Sequence, residues 1–345
     1  MKNIIKLLIL LPVLSYSQNK EEAERKVFEG VSLYDEGRYK EALLLYEEAL
    51  RLDKNNLLAL SEKALTLNTT KQYSEAVETC KLAINTHPKE DLKNVYVSYA
   101  NTLDHLGQIE NSLKIYDEGL AKYPNYYQLH FNKGITLINA QQVEKAHISF
   151  QNATKSNPKH SSSFNALGII NKNDNRIPSV LAFSRFLALE NKSSRAKANY
   201  EMIIALMMQG VTEKEDNSIS LIINPNTIEK KEKADNDFSS TDLILSMAAA
   251  LDYDSKNKDK TQCQKFIDKF ETLCASLDEL KKKKKGYYWE FLVPYFIEMK
   301  KQKLIEPFAY IVFLPSQDKD VLKFHQDQAS KIQQFYDWSN NYKWE

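Results

Sequence analysis

Glycine is scarce in this chain of 345 residues, and the spacing of its glycines excludes several kinds of loop. There are eight glycines, and the closest two, Gly30 and Gly37, stand seven residues apart. Phosphate-binding loops and the nucleophile elbow of hydrolases need glycines about two to five residues apart, because the backbone there approaches a phosphate or turns sharply. The sequence therefore contains no Walker loop, no dinucleotide-binding fingerprint and no nucleophile elbow.

The chain also lacks an excess of either charge. It has 47 lysines and arginines against 46 aspartates and glutamates, which gives a formal net charge of +1. Proteins that bind nucleic acid usually carry a clear basic excess or a basic stripe. Nucleic acid is therefore not expected as a partner.

Cysteine and histidine are too few, and too far apart, to form an evident site. Cys263 and Cys274 are 11 residues apart on one predicted helix, about 16 Å, which is too far for a disulfide. Cys80 falls in an apolar column, so all three are predicted to be buried thiols. The six histidines show no i, i+4 pair and no H-E-x-x-H motif. We therefore predict no metal, no cofactor and no enzymatic activity, although distant histidines or paired carboxylates remain open as alternatives.

The N terminus has the pattern of a secretory signal. Lys2 and Lys6 precede a short apolar stretch at residues 7–14, and Ser15 and Ser17 place small residues before a cleavage site. About eight apolar residues are too few to span a bilayer, which takes about 20. The sequence predicts a signal peptide at residues 1–17 and a periplasmic or secreted protein, with an uncleaved anchor as the alternative.

A period of 34 residues organises the first half of the chain. Three columns share steps of 34, 36, 34 and 34 residues: Gly30, Ala64, Ala100, Gly134 and Gly168; Ala42, Ala76, Ser112, Ala146 and Val180; and Ala49, Ala83, Gly119, Ala153 and Leu187. Prolines end three of the units, at Pro88, Pro124 and Pro158. Small residues let two helices approach closely, and proline cannot continue a helix. The period therefore predicts repeated pairs of helices.

This pattern resembles the tetratricopeptide repeat family over about residues 23–194. The resemblance implies an all-α fold, with a right-handed α-solenoid of five helix-turn-helix repeats and a capping helix at residues 195–210. Gly37 and Gly107 are expected at turns with a left-handed backbone. The fifth unit departs from the pattern, since Asn171, Pro178 and Ser184 stand where other residue types are expected.

In this family the first helix of each repeat lines a concave groove that binds a protein or peptide. Carried over to this chain, the groove residues are Tyr34, Asn68, Asn101, Asp104, His105, Phe131, Asn139 and Asn165. Asparagine amides can pair with an extended peptide backbone, and Phe131 or Tyr34 can contact an apolar side chain. A basic clamp for a C-terminal carboxylate is not evident, because Lys172 stands nearly alone. An ordinary solvated face is the alternative.

The second half of the chain reads as helical without resembling a known family. Residues 18–210 are predicted to form the solenoid and its cap, residues 211–240 a linker with at most a short strand at 219–223, and residues 241–345 an all-α domain of four or five helices. One clear helix carries an apolar stripe that consists of Cys263, Phe266, Ile267, Phe270, Leu273, Cys274, Leu277 and Leu280. A buried helical hairpin is predicted at residues 287–314 and a final helix at residues 322–336.

Aromatic residues gather near the C terminus, where Trp289, Trp338 and Trp344 lie. Aromatic residues at this density are usually core or interface anchors, and a platform for sugars is the alternative. The lysine run at 281–285 is interpreted as the end of a helix. The leading prediction is an exported, non-enzymatic protein that binds a protein or peptide partner in the groove. A glycan-binding or cell-envelope-binding protein is the second hypothesis.

Overall fold

The structure is a computed structural model that describes residues 2–215, 218–222 and 235–344, with the backbone alone for residues 2–18. These residues are almost entirely helical, which confirms the predicted all-α fold of helical repeats followed by further helices. The chain divides into two compact units, Met1–Ser149 and Phe150–Glu345.

The first unit consists of helices in pairs. Its helices are α1 (Lys2–Asp35), α2 (Tyr39–Leu52), α3 (Leu57–Thr69), α4 (Tyr73–Thr86), α5 (Lys93–His105), α6 (Ile109–Lys122), α7 (Tyr127–Asn139) and the start of α8 (Val143–Ser156). The first helices α1, α3, α5 and α7 pack side by side, and α2, α4 and α6 each follow a first helix and pack against it. The predicted cleavage point after Ser17 lies within α1 and stays a prediction.

The turns inside the repeats share one backbone conformation. Gly37 and Gly107 have φ angles of 78° and 73°, in the left-handed region, as the sequence predicts. The residues at the same place in the second and fourth repeats are Lys71 and Gln141, with φ angles of 62° and 59°. A side chain is unfavourable in this region but is tolerated at single positions. The turn is therefore set by the repeat geometry, and glycine is not required at every copy.

The second unit continues the repeats and then adds further helices and one hairpin of strands. Its described elements are α9 (Ser161–Asn171), α10 (Arg176–Leu189), α11 (Ala196–Met208), β1 (Val211–Glu213), β2 (Ile219–Leu221), α12 (Ser239–Ala250), α13 (Gln262–Leu280), α14 (Val293–Lys301), α15 (Ile305–Phe313), α16 (Lys319–Asp327) and α17 (Ala329–Asn341), with a π-helical turn at Tyr288–Leu292 before α14. The strands pair antiparallel, with Val211 opposite Leu221 and Glu213 opposite Ile219.

The fifth repeat, α9 and α10, departs from the pattern because α10 is buried on nearly all sides. Twelve of its 14 residues are buried, since α9, α11, α12 and α15 all pack against it. Phe183 occupies the place beside Gly168, where the repeat register predicts residue 184. Ser184 is also buried, and its Oγ has no hydrogen-bond partner among the described residues.

The C-terminal helices differ in number from the prediction. Six α-helices follow the hairpin in the described residues, against four or five expected, because the predicted final helix is divided at Gln328 into α16 and α17. The predicted buried hairpin is confirmed as α14 and α15. The predicted buried thiols are confirmed too: all three cysteines are free and buried, and burial raises the pKa of Cys80 to about 12.

The predicted linker at residues 211–240 is partly structured. Its start forms the β1–β2 hairpin, and residues 223–234 lie outside the described residues. The predicted capping helix is present as α11, and it packs against α12 and α13 as well as α10. The limits of the predicted domains therefore stay a prediction about folding. Within the described residues, no helix combines the length and the apolar character needed to cross a bilayer.

Candidate protein-binding face of the repeats

Two columns of side chains run across the first helices of the first unit. One contains Val31, Leu65, Asn101 and Ile135, and the other contains Tyr34, Asn68, Asp104 and Ile138. Each column takes one residue from α1, α3, α5 and α7, which pack side by side. We call these eight residues the first-helix face.

Hydrogen bonds between neighbouring first helices hold this face together. Tyr34 Oη lies 3.0 Å from Thr69 Oγ1, which links α1 to α3. Thr136 donates to Asp104 Oδ2 over 2.9 Å, and Asn139 donates to the same oxygen over 3.4 Å, which links α7 to α5. Asp104, Asn139 and Tyr34 are therefore brought together as predicted, but their polar groups partly satisfy one another.

Asn101 has a structural role that the sequence did not reveal. Its side-chain oxygen accepts a hydrogen bond from the phenol of Tyr116, which is buried between helices and whose pKa is raised by burial. A buried hydroxyl without this acceptor would cost about 1–3 kcal/mol. Asn101 therefore positions the second helix of its own repeat, and its amide nitrogen remains on the face.

The other predicted groove residues are less uniform. His105 is exposed and stacks on Tyr73, with ring centroids 5.3 Å apart. Phe131 is half-buried on α7. The Oδ1 atom of Asn68 is buried and accepts no hydrogen bond from the described residues. Asn165 lies on α9 in the second compact unit, so the structure does not join it to this face.

Exposed apolar side chains are the feature that the predicted site residues missed. Leu65, Ile135 and Ile138 are 38%, 40% and 38% exposed. They occupy the same columns as Asn101 and Asp104, so the 34-residue step identifies them once the columns are written out in full. Apolar contact together with polar groups is the combination that an extended peptide requires.

The charge of this face is neutral to acidic. None of its eight residues is lysine or arginine, and Asp104 is acidic. Glu62 lies on α3, half-buried, and burial together with the neighbouring charge of Asp35 raises the pKa of its carboxyl group. Lys63 is engaged with Glu75 and Glu47, at 2.7 and 3.4 Å. The face therefore favours neutral or cationic ligands over anionic ones.

The aromatic residues near the C terminus belong to the core of the second unit. Trp289 is 1% exposed, stacks on Phe238 at 4.3 Å and donates from Nε1 to the carbonyl of Asp237. Trp338 and Trp344 are half-buried and pack on the buried ring of Tyr295. These rings do not form an exposed platform, so the glycan hypothesis loses the observation on which it rested.

Comparison with known proteins identifies the repeats. Residues 33–96 match the family model described as tetratricopeptide repeat. These are tetratricopeptide repeats. The Protein STIP1 homolog of Dictyostelium discoideum is 25% identical over 133 residues, which is 37% of this chain and 24% of that protein. An Hsp70-Hsp90 organising protein of Plasmodium falciparum is 30% identical over 107 residues, or 31% of this chain and 42% of that protein.

The tetratricopeptide repeats also have similar solved structures. One, described as "Functional Characterization of Pseudomonas Aeruginosa pilF", is 16% identical, with a TM-score of 0.48, and covers 55% of this chain and 84% of that chain. Both curated relatives match this chain over less than half of their own length. What those proteins do as a whole is therefore not transferred by the match.

Proposed function

We propose that this protein is a non-enzymatic interaction module that binds an extended segment of a protein partner on the first-helix face. The observation that carries the proposal is the set of exposed apolar side chains Leu65, Ile135 and Ile138 among the polar groups of neighbouring first helices. Burial of such side chains by a ligand stabilises a complex by about 25 cal/mol per Å² of apolar surface. The relative named as an Hsp70-Hsp90 organising protein supports a protein as partner.

The spacing of the apolar residues suggests the length of the bound segment. Leu65 and Ile135 lie two first helices apart, on α3 and α7. Packed helices are about 8–10 Å apart, so the two side chains span about 16–20 Å. An extended chain advances about 3.3 Å per residue. We therefore expect the partner to place two apolar side chains about five or six residues apart.

The charge of the face selects the partner further. A C-terminal carboxylate or an acidic segment would meet Asp104 and the half-buried Glu62 without a lysine or arginine on the face. An internal segment with neutral or basic side chains avoids this repulsion. We therefore propose that the partner contributes an apolar, neutral-to-basic stretch.

The test uses peptides selected from a random library against the purified protein, with binding measured by fluorescence anisotropy. Leu65→Ser together with Ile135→Ser removes two apolar contacts, worth about 1–3 kcal/mol each, so we expect Kd to rise at least about tenfold. The matched controls are Leu82→Ser and Ile148→Ser, at positions on second helices that are 44% and 57% exposed. We expect the controls to leave Kd unchanged. Equal effects in the two pairs would rule out the first-helix face as the site.

A crosslinking experiment connects this face to the natural partner. A photoreactive phenylalanine at position 135 should crosslink one defined protein in the producing cells, and the same residue at position 82 should not. Recovery of the same products from both positions would contradict the proposal.

We also propose that the protein is exported and acts in the periplasm or outside the cell. The support is the basic start, the short apolar stretch and the small residues before Gln18 in the sequence. Mass spectrometry of the protein from its own cells should find Gln18 as the first residue. A mature protein that retains Lys2 and Lys6 would refute cleavage.

A further inference from the structure

Helix α12 exposes a ridge of three large apolar side chains. Leu243, Met247 and Leu251 are 38%, 57% and 58% exposed, and they follow one another at intervals of four residues. Residues four apart lie on one side of a helix. We call these three residues the α12 ridge. A soluble helix usually turns charged or polar side chains to solvent, so this pattern is not explained by the fold alone.

The α12 ridge carries no charge. The acidic residue of this helix, Asp242, turns inward, where its carboxylate lies 3.4 Å from Arg176 Nη1. Burial raises the pKa of Asp242 in spite of this partner. Ser246 also faces inward and accepts from Arg176 over 2.8 Å. The polar groups of α12 are thus used in the core, and the apolar ones remain on the outside.

The β1–β2 hairpin extends this apolar surface. Both strands lie against α12, and Ile219, Leu221 and Ile222 are 36%, 40% and 69% exposed. Together with the α12 ridge they make six of the eight exposed large apolar side chains described in the second unit. A concentration of this kind usually marks an interaction site.

The symmetry of the ridge indicates what covers it. Leu243 and Leu251 stand four residues on either side of Met247. Ridges of residues four apart on two helices pack into one another at about −50°. A two-fold axis through Met247 would place Leu243 of each copy against Leu251 of the other, which is a self-complementary interface. Because the ridge is uncharged, two identical ridges meet without like-charge repulsion.

We propose that the α12 ridge is a homodimer interface in which two copies of this chain cross antiparallel at Met247. Six apolar side chains are fewer than the about 20–30 residues per side of a stable interface. The dimer should therefore be weak and depend on concentration. Dimerisation would place two partner-binding units in one particle, which raises the apparent affinity for a multivalent partner.

The experiment measures the mass of the purified protein in solution by sedimentation equilibrium over about a hundredfold range of concentration, since association follows mass action. We expect the wild-type mass to rise from monomer towards dimer. Met247→Glu places two like charges at the two-fold axis and should keep the protein monomeric. The matched control is Leu44→Glu, at a position that is 59% exposed in the first unit and should leave the association unchanged.

A charge-swap mixture separates a second copy from any other occupant. Met247→Glu and Met247→Lys should each be monomeric, and their equimolar mixture should form a heterodimer because opposite charges then meet at the axis. Thermal melts that match the wild type check that both variants fold. A wild-type protein that is monomeric at every concentration would overturn the proposal. So would a Met247→Glu variant that dimerises as the wild type does, or a mixture that stays monomeric.

Discussion

Single residues decide where the helices of a repeat cross, and Gly168 is the clearest case in the second unit. A Cβ atom built on Gly168 would lie 2.6 Å from two ring carbons of Phe183 on the facing helix. Contacts that short do not occur between real side chains, and Phe183 is only 1% exposed and has no room to move. Glycine at this position is therefore a packing requirement of the α9–α10 pair.

Gly168→Ala is expected to destabilise the second unit by about 1–3 kcal/mol, because the added methyl group overpacks the crossing. In an ordinary helix the same change stabilises by about 1 kcal/mol, so the sign itself is informative. Urea unfolding followed by tryptophan fluorescence measures the effect in this unit. Phe183→Leu should relieve the clash, so the double variant should lose less than the sum of the single changes. A Gly168→Ala variant that is as stable as the wild type would contradict the crossing geometry.

The predicted site residues show what sequence can tell at the scale of a residue. The 34-residue step placed Tyr34, Asp104 and Asn139 on one face, and the structure agrees. It could not show that Asn101 is held by Tyr116, or that Asp104 accepts from Thr136. These partners are 15 and 32 residues away, and which of several polar neighbours pairs depends on side-chain conformations that a repeat pattern does not encode.

At the scale of elements, Arg185 joins three helices of the second unit and the segment after them. It is 1% exposed, and its Nη1 donates to Tyr295 Oη on α14 over 3.1 Å and to Ser339 Oγ on α17 over 2.8 Å. Its Nη2 donates to the carbonyl of Pro158 over 3.0 Å, and the guanidinium lies 5.1 Å from the ring centroid of Trp344. Burial lowers its pKa, and it forms no ion pair with the described carboxylates.

Two substitutions separate the packing of Arg185 from its hydrogen bonds. Arg185→Met keeps most of the volume, and Tyr295 and Ser339 still bond to each other over 2.8 Å, so we expect a loss of about 1–3 kcal/mol from the orphaned carbonyl of Pro158. Arg185→Ala also leaves a cavity among aromatic rings, and we expect about 3–5 kcal/mol. Arg51→Ala, at a side chain that is 71% exposed, is the control. An Arg185→Ala variant as stable as this control would show that Arg185 does not hold the helices together.

The elements that sequence predicted least well are those whose neighbours come from elsewhere in the chain. Helix α13 was predicted well because its apolar stripe and the capping box at Thr261 are local signals. Helix α10 was predicted as an ordinary second helix, but helices from the C-terminal part cover its outer side. The shift from Ser184 to Phe183 beside Gly168 follows from this added packing. A repeat period cannot anticipate contacts with residues outside the repeats.

At the scale of the whole molecule, the repeats and the C-terminal helices share one core in the second unit. Tyr287 Oη lies 2.5 Å from Thr154 Oγ1, and Tyr288 Oη accepts from Asn171 over 2.7 Å. Arg176 on α10 reaches Asp242 and Ser246 on α12. The change in composition at residues 211–240 suggested a linker between domains. These contacts instead join the residues before it to the residues after it.

Two fragments test where the chain can be divided. Residues 143–345 keep α8 whole and include the complete second unit, so we expect this fragment to unfold cooperatively in urea. Residues 235–345 lack α9, α10 and α11, and the surfaces of α12, α13 and α15 that cover those helices would be open to water. Exposed apolar surface costs about 25 cal/mol per Å², so we expect this shorter fragment not to fold alone. Both fragments contain all three tryptophans, so their fluorescence reports on the same core. A cooperative transition in the shorter fragment would show instead that residues 211–240 separate two independent domains.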